Sequence, residues 1–185
     1  MKDLINSSIQ SHSEALNLLD EKKIHHASDL IKQSLSKNNT IFWCGNGGSA
    51  SQANHLSAEL IGGMYKDKKS PSKSVCLNVD TAFITAWSND DSFDNIFTRQ
   101  LEGLAQSDDI LIALSTSGNS KNIINAAKYC NDNNIRIISL TGFDGGRLKN
   151  LSDININIST NSTQRIQEMH ILVGHILCDI VEHSF

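Results

Sequence analysis

A doubly wound α/β fold is predicted by three features of the sequence. Short apolar runs alternate with stretches of helical period along the 185 residues. Two of the runs, IFWC at 41–44 and DILIAL at 109–114, are almost uninterrupted, as strands of a parallel sheet are when helices cover both of its faces. Three runs also end in small polar loops, GNGGS at 45–49, STSGNS at 115–120 and TGFDGG at 141–146. Ligands of such sheets bind beyond the carboxyl ends of the strands. A single domain over residues 1–185 is expected, with residues 1–36 as an N-terminal helical extension and a long helix at the other end.

Residues 3–36 carry two helical patterns, one through Leu4, Ile5, Ile9, Leu16 and Leu19, the next through Ala27, Leu30, Ile31 and Leu35. Lys37, Asn38 and Asn39 end them. The run at 41–44 breaks at the glycine-rich turn, and a helix is expected from Ser49, whose hydroxyl would cap it. Residues 65–73, polar and holding the only proline, Pro71, read as a surface loop, and SVCLNV at 74–79 as a second strand. Residues 81–104 read as two helices with a break at Ser88, Asn89, Asp90 and Asp91; the second carries Phe93, Ile96, Phe97 and Leu101. After the strand at 109–114 come a helix at 120–131, a strand at 136–140, an alternating strand at 153–158 and one helix over 163–183.

Apolar residues make up 39% of the chain and charged residues 19%, the balance of a chain that packs a core. The net charge is -4, and the lysines are scattered apart from Lys66, Lys68 and Lys69, so no basic field exists to hold a nucleic-acid backbone. The opening MKDLINSSIQSHSE has no apolar core and no run is long enough to span a bilayer, so neither a signal peptide nor a membrane partner is expected, and the compartment is expected to be the cytoplasm. Cys44, Cys76, Cys130 and Cys178 lie far apart, in or beside apolar segments, and read as buried free thiols.

The loop STSGNS suits an anion. Ser115, Thr116, Ser117 and Ser120 offer hydroxyls, the turn at Gly118 exposes backbone N–H groups, and the following helix points its positive end at the same place. An ordinary helix cap is the bland alternative; four hydroxyls in six residues after a buried strand favour a phosphate monoester. GNGGS is not a dinucleotide fingerprint, because Ala50 stands where the third glycine is needed, and no Walker lysine follows. In the helix after it His55 and Glu59 are four residues apart and share a face. On the last helix Gln167 and His175 are eight apart and share a face with Ile171 that should look inward. Arg165, Glu168, His170 and Glu182 fall at other angles and read as surface or interface residues. Two helices that each present a polar pair could hold a divalent metal through nitrogen and oxygen or move a proton on a sugar, and spacing alone leaves both open. His12, His25, His26 and His183 receive no role.

In order along nearly the whole chain, CGNGGSASQANHLSAEL, the pair Asn89-Asp90, LSTSGNS, LTGFDGG and RIQEMHILVGHILCDIVE resemble the phosphoheptose isomerases of the sugar isomerase (SIS) domain family. The resemblance implies a five-stranded parallel sheet flanked by helices and a homotetramer with active sites at subunit interfaces. It also implies an aldose–ketose isomerase acting on a phosphorylated seven-carbon sugar. The reaction would convert D-sedoheptulose 7-phosphate into D-glycero-D-manno-heptose 7-phosphate through an enediol, the first step of bacterial heptose biosynthesis for lipopolysaccharide or capsule. By the same resemblance Asn46, Gly47, Gly48, Glu59 and Gln167 line the substrate, Asn89 and Asp90 contact its hydroxyls, and Ser115, Thr116, Ser117 and Ser120 hold its phosphate. Glu59 and His175 would be the catalytic acid/base pair. Some members hold zinc, one ion per subunit, at positions matching His55, Glu59, Gln167 and His175. Two departures stand out. Where the family commonly continues E-L-x-G-R-Y, this chain reads ELIGGMYKDKK, without the arginine, and Lys66, Lys68 or Lys69 are the candidates to replace it. Gln164 occupies the place of an aspartate that some members carry before R-I-Q.

The rival reading, also by resemblance, is a non-catalytic SIS protein that binds the replication initiator DnaA. Such relatives lack the glutamate and the second histidine, whereas this chain keeps Glu59 and His175, which favours the enzyme. A third reading, a sugar-phosphate sensor or an amino-sugar isomerase module, is disfavoured by the helical tail and by the lack of a glutaminase domain or a second SIS repeat.

Overall fold

The computed structural model describes residues 2–65 and 70–185; Lys66, Lys68 and Lys69, and with them the proposed arginine substitutes, lie outside the described residues. In chain order the elements are α1 (Lys2–Leu16), α2 (Glu21–Ser36), β1 (Ile41–Gly45), α3 (Gly48–Gly62), β2 (Ser74–Cys76), α4 (Thr81–Asp90), α5 (Ile96–Leu104), β3 (Ile110–Ser115), α6 (Lys121–Asp132), β4 (Arg136–Gly142), β5 (Ile154–Ile158) and α7 (Thr163–Glu182). Short 3-10 turns occur at Phe93–Asn95 and Leu148–Leu151. The five strands run parallel in the order β2-β1-β3-β4-β5.

Side-chain alternation sends neighbouring residues of each strand to opposite faces, and both faces are covered. Ile41, Trp43, Ile110, Ile112 and Leu114 pack against Ile24, Ala27 and Ile31 of α2, Ala53, Leu56 and Leu60 of α3, and Val173, Leu177 and Val181 of α7. Phe42, Cys44, Leu111 and Ala113 pack on the other face against Ile96, Phe97 and Leu101 of α5 and Ile123, Ile124 and Ala127 of α6. Three helices begin on side-chain caps: Asp20, Asp80 and Ser162 accept from the N–H groups of Lys23, Phe83 and Arg165. All four cysteines are free and buried. Burial pushes the Cys130 and Cys178 thiols up to about 12, so they stay protonated and unreactive.

Three local expectations need correction. β2 stops at Cys76 instead of Val79. The Leu77 N–H donates to the Trp43 carbonyl (2.9 Å), and then the Asn78 side chain takes over the edge, accepting from Gly45 N–H (3.1 Å) and donating to the Gly45 carbonyl (2.9 Å). An amide side chain here replaces the next rung of backbone. Second, α4 runs through Ser88, Asn89 and Asp90 and breaks only at Asp91; the Ser88 hydroxyl bonds back to the Ile84 carbonyl (2.6 Å), where a mid-helix serine can satisfy itself without ending the helix. Third, α3 starts at Gly48, so Ser49 lies inside the helix and is buried; its cap position is Gly47, at φ +55°, which makes no side-chain cap bond.

Candidate active site

The two loops that follow β1 and β3 lie side by side because their strands are neighbours, with Gly45 in register with Leu114. A reciprocal amide pair joins them. Asn46 and Asn122 each donate to the other's side-chain oxygen at 2.9 Å, which locks the first loop to the first turn of α6. Asn122 was not singled out in the sequence; its signal is a lone buried amide among the apolar residues that open α6. On the other side, the Gln167 side chain lies so close to Gly48 that a Cβ there would sit 2.6 Å from Gln167 Nε2. A larger residue at Gly48 would push the Gln167 amide out of this position. Gln52, one turn into α3, donates to the Gln167 backbone carbonyl (2.7 Å) and so clamps α7 to α3.

Along the α3–α7 seam the two polar pairs meet. His55 Nε2 is 2.9 Å from His175 Nε2 and 3.3 Å from Glu59 Oε1, and one ligand atom from each of the three residues lies within 4.8 Å of the others. The contacts are satisfied when His55 Nε2 carries the proton and both the His175 lone pair and the Glu59 carboxylate face it. Glu59 is the more sheltered, its side chain 23% exposed against 51% for His55. Two imidazole nitrogens and a carboxylate oxygen at this spacing match the donor set of a zinc ion.

The serine loop is shaped by Gly118, at φ +61°, where a Cβ would lie 2.0 Å from the Gly145 carbonyl oxygen. The 141–146 segment, one of the three polar loops at the strand ends, buttresses the serine loop. Gly142 N–H donates to the Thr116 carbonyl (2.9 Å), Leu148 N–H to the Gly118 carbonyl (2.9 Å) and Arg147 N–H to Asn119 Oδ1 (3.1 Å). The hydroxyls are left largely unspent on the fold. Ser115 Oγ is buried without a hydrogen-bond partner, and Ser120, at the cap position of α6, makes no side-chain cap bond. Ser117 Oγ accepts only a long bond from Asn119 N–H (3.2 Å). A buried hydroxyl without a partner at a strand's carboxyl end is an unusual expense unless a ligand completes it.

Asn89 and Asp90 lie on the exposed last turn of α4, hydrogen-bonded to each other at 2.8 Å. α4 packs on the 93–95 turn and α5, and its Ile84 and Trp87 lie against the sheet face that carries Phe42 and Leu111. The last helix departs from expectation at His170, which is fully buried instead of on the surface. Its Nε2 donates to the Thr141 carbonyl (3.1 Å), its Nδ1 has no partner, and burial lowers its pKa to about 4. Arg165 and Glu168 are likewise not free surface groups. Arg165 reaches the Ser8 carbonyl (2.6 Å), Ser11 Oγ (3.0 Å) and Glu168, while Glu168 also takes His12 Nδ1 at 2.6 Å, which ties α1 to α7. Glu182 accepts from the backbone N–H groups of Met64 (2.7 Å) and Tyr65 (3.2 Å).

A family model described as SIS domain matches residues 6–142, well over half of the chain. The chain belongs to the SIS domain family. Among its relatives this SIS domain is 44% identical to the phosphoheptose isomerase of Helicobacter hepaticus, over 98% of this chain and 93% of that protein. Among solved structures it matches the phosphoheptose isomerase of Neisseria gonorrhoeae (37% identity, TM-score 0.89) and one from Francisella tularensis (34% identity, TM-score 0.91). Each match covers 98% of this chain and 96% of the other. The similarity thus spans α7 as well as the sheet, and the SIS domain here shares the whole architecture of those enzymes.

Proposed function

We propose that this chain is a phosphoheptose isomerase, an aldose–ketose isomerase that converts D-sedoheptulose 7-phosphate into D-glycero-D-manno-heptose 7-phosphate. The observation that carries the reading is the convergence of Glu59, His55 and His175 on the α3–α7 seam, on a scaffold whose serine loop leaves its hydroxyls unspent. The similarity of nearly the whole chain to named phosphoheptose isomerases supports the same reading. Glu59 takes a proton from C1 of the open-chain ketose while His175 protonates O2, which gives the enediol. Return of a proton to C2 and loss of the O1 proton to the imidazole give the aldose, with no atom gained or lost. Ser115, Thr116, Ser117 and Ser120 bind the phosphate, and that remote binding energy orients the reacting carbons. Asn46, Gly47, Gly48 and Gln167 line the sugar, and Asn89 and Asp90 contact its hydroxyls.

His55, Glu59 and His175, with Gln167 as a fourth donor, would hold one zinc ion per subunit. Such an ion, when bound, polarises a carbonyl or hydroxyl oxygen. Residues 1–185 act as one domain, with 1–36 as its helical N-terminal part, and assemble as a homotetramer with sites at subunit interfaces. Support comes from α1, where Leu4, Ile5 and Ile9 are 70%, 58% and 62% exposed, a cost that an assembly would remove. The cytoplasm is the proposed location; among the described residues no helix is long and apolar enough to cross a membrane.

The test is an NMR assay of the purified protein with sedoheptulose 7-phosphate, with and without a chelator. Appearance of the aldose supports the reading, and its absence under both conditions and after zinc addition overturns it. Light scattering at four times the protomer mass checks the assembly.

A further inference from the structure

We infer that His170 is a positioning residue which, through its hydrogen bond to the Thr141 carbonyl, fixes the distance between the reacting groups on α7 and the serine loop after β3. The inference rests on the isomerase reading for its kinetic consequence but not for its structural one. His170 lies one turn after Gln167 and five residues before His175, on the arc of α7 that faces the sheet. Its ring is fully buried and makes its hydrogen bond to backbone, at the carboxyl end of β4. Because a carbonyl only accepts, Nε2 carries the proton, and burial keeps the ring neutral at ordinary pH.

Thr141 is in register with Ser115, the first residue of the serine loop. The next residue, Gly142, donates its N–H to Thr116, and Gly145 fills the space beside Gly118. Thr141 itself is held from the far side, since its hydroxyl donates to Asn157 Oδ1 (2.9 Å) and accepts from Asn155 Nδ2 (2.8 Å). Helix, strand end, buttress and serine loop thus form one continuous hydrogen-bonded path. The His170 ring is the only step in that path, among the described residues, that joins α7 to the β4 end by a side-chain hydrogen bond. A burial-driven core histidine would be replaceable by an apolar residue. A histidine that sets a distance between two binding regions would not be, because a shift on the order of 1 Å between phosphate and reacting carbon costs about a hundredfold in rate.

Two variants test this. His170→Met keeps an apolar side chain of similar bulk but loses the donor; His170→Gln places an amide N–H where Nε2 stands. With sedoheptulose 7-phosphate, His170→Met should lower kcat about tenfold to a hundredfold with KM moved less than threefold, and His170→Gln should return kcat to within about threefold of wild type. Without substrate, amide hydrogen exchange at Gly142 and Leu148 should quicken about tenfold in His170→Met and not in His170→Gln. Wild-type kcat in the Met variant, or a loss that the Gln variant does not repair, overturns the role. So does unchanged exchange at both amides. If the Met chain does not fold, the Gln chain decides, since a tenfold loss of kcat or faster loop exchange in it is the overturning result. If the wild-type protein has no isomerase activity, the proposed function fails, and the exchange measurement alone still decides the tie.

Discussion

The α3–α7 seam and the β3–α6 loop are built on opposite principles. In the seam, the groups proposed to react are side chains of two long helices, and the imidazoles and carboxylate contact one another at 2.9 and 3.3 Å. In the loop, the proposed phosphate cradle is a backbone shape set by Gly118 and its buttress, and the buried Ser115 hydroxyl has no protein partner. A seam of that kind tolerates changes of neighbours but not of its few charged atoms. A loop of that kind tolerates loss of a hydroxyl better than gain of a methyl group.

The largest expected effect comes from the seam. Glu59→Gln should lower kcat for sedoheptulose 7-phosphate by about 10² to 10⁴ with thermal stability little changed, because the carboxylate is replaced by an isosteric amide. Wild-type turnover in steady-state assays would remove Glu59 from the proton transfer. Next is the link between the two regions. The unfolded chain binds a proton on His170 near pH 6.5, whereas the folded chain refuses it down to about pH 4. Stability is therefore whole above the upper value and is lost as pH falls through this window, by on the order of 3 kcal/mol at its lower end. Denaturant melts from pH 7 to 4 should show that slope, and His170→Gln should flatten it.

Two glycine variants sharpen the contrast further. Gly118→Ala faces both a left-handed backbone, worth about 1 to 2 kcal/mol, and a collision with the Gly145 carbonyl at 2.0 Å, so stability and phosphate binding should both fall. Gly47→Ala has the same sign of φ but nothing within 4 Å, so calorimetry should show the backbone strain alone. The smallest effect is the most specific. Ser115→Ala removes a buried hydroxyl that has no partner in the free protein, so the melting temperature should hold or rise, while KM should rise about tenfold from the lost bond to a charged ligand.

Much of the architecture was legible in the sequence because β1 and β3 are buried on both faces and their apolar runs have no competing explanation. The end of β2 was not, because Asn78 continues the edge with its side chain, and a side-chain rung leaves no periodic trace. The polar pairs His55 with Glu59 and Gln167 with His175 were readable from helical spacing, and the metal-like grouping of His55, Glu59 and His175 agrees with it. His170 was misread for a geometric reason. α7 packs against α1, α2, α3 and β4 at once, so its inward arc is wider than the single stripe that spacing suggests. Gln52 and the 141–146 buttress act on backbone groups of distant segments, and Asn122 pairs with the Asn46 side chain; helical or strand period announces none of these partners.

The way α7 closes the fold also bears on how the chain matures at the ribosome. The apolar sides of α2 and α3 are both completed by residues 163–182, more than a hundred positions later in synthesis. Until that segment emerges, a nascent chain with its sheet already forming carries an uncovered greasy flank, which is the state that chaperones bind and that aggregates when they do not.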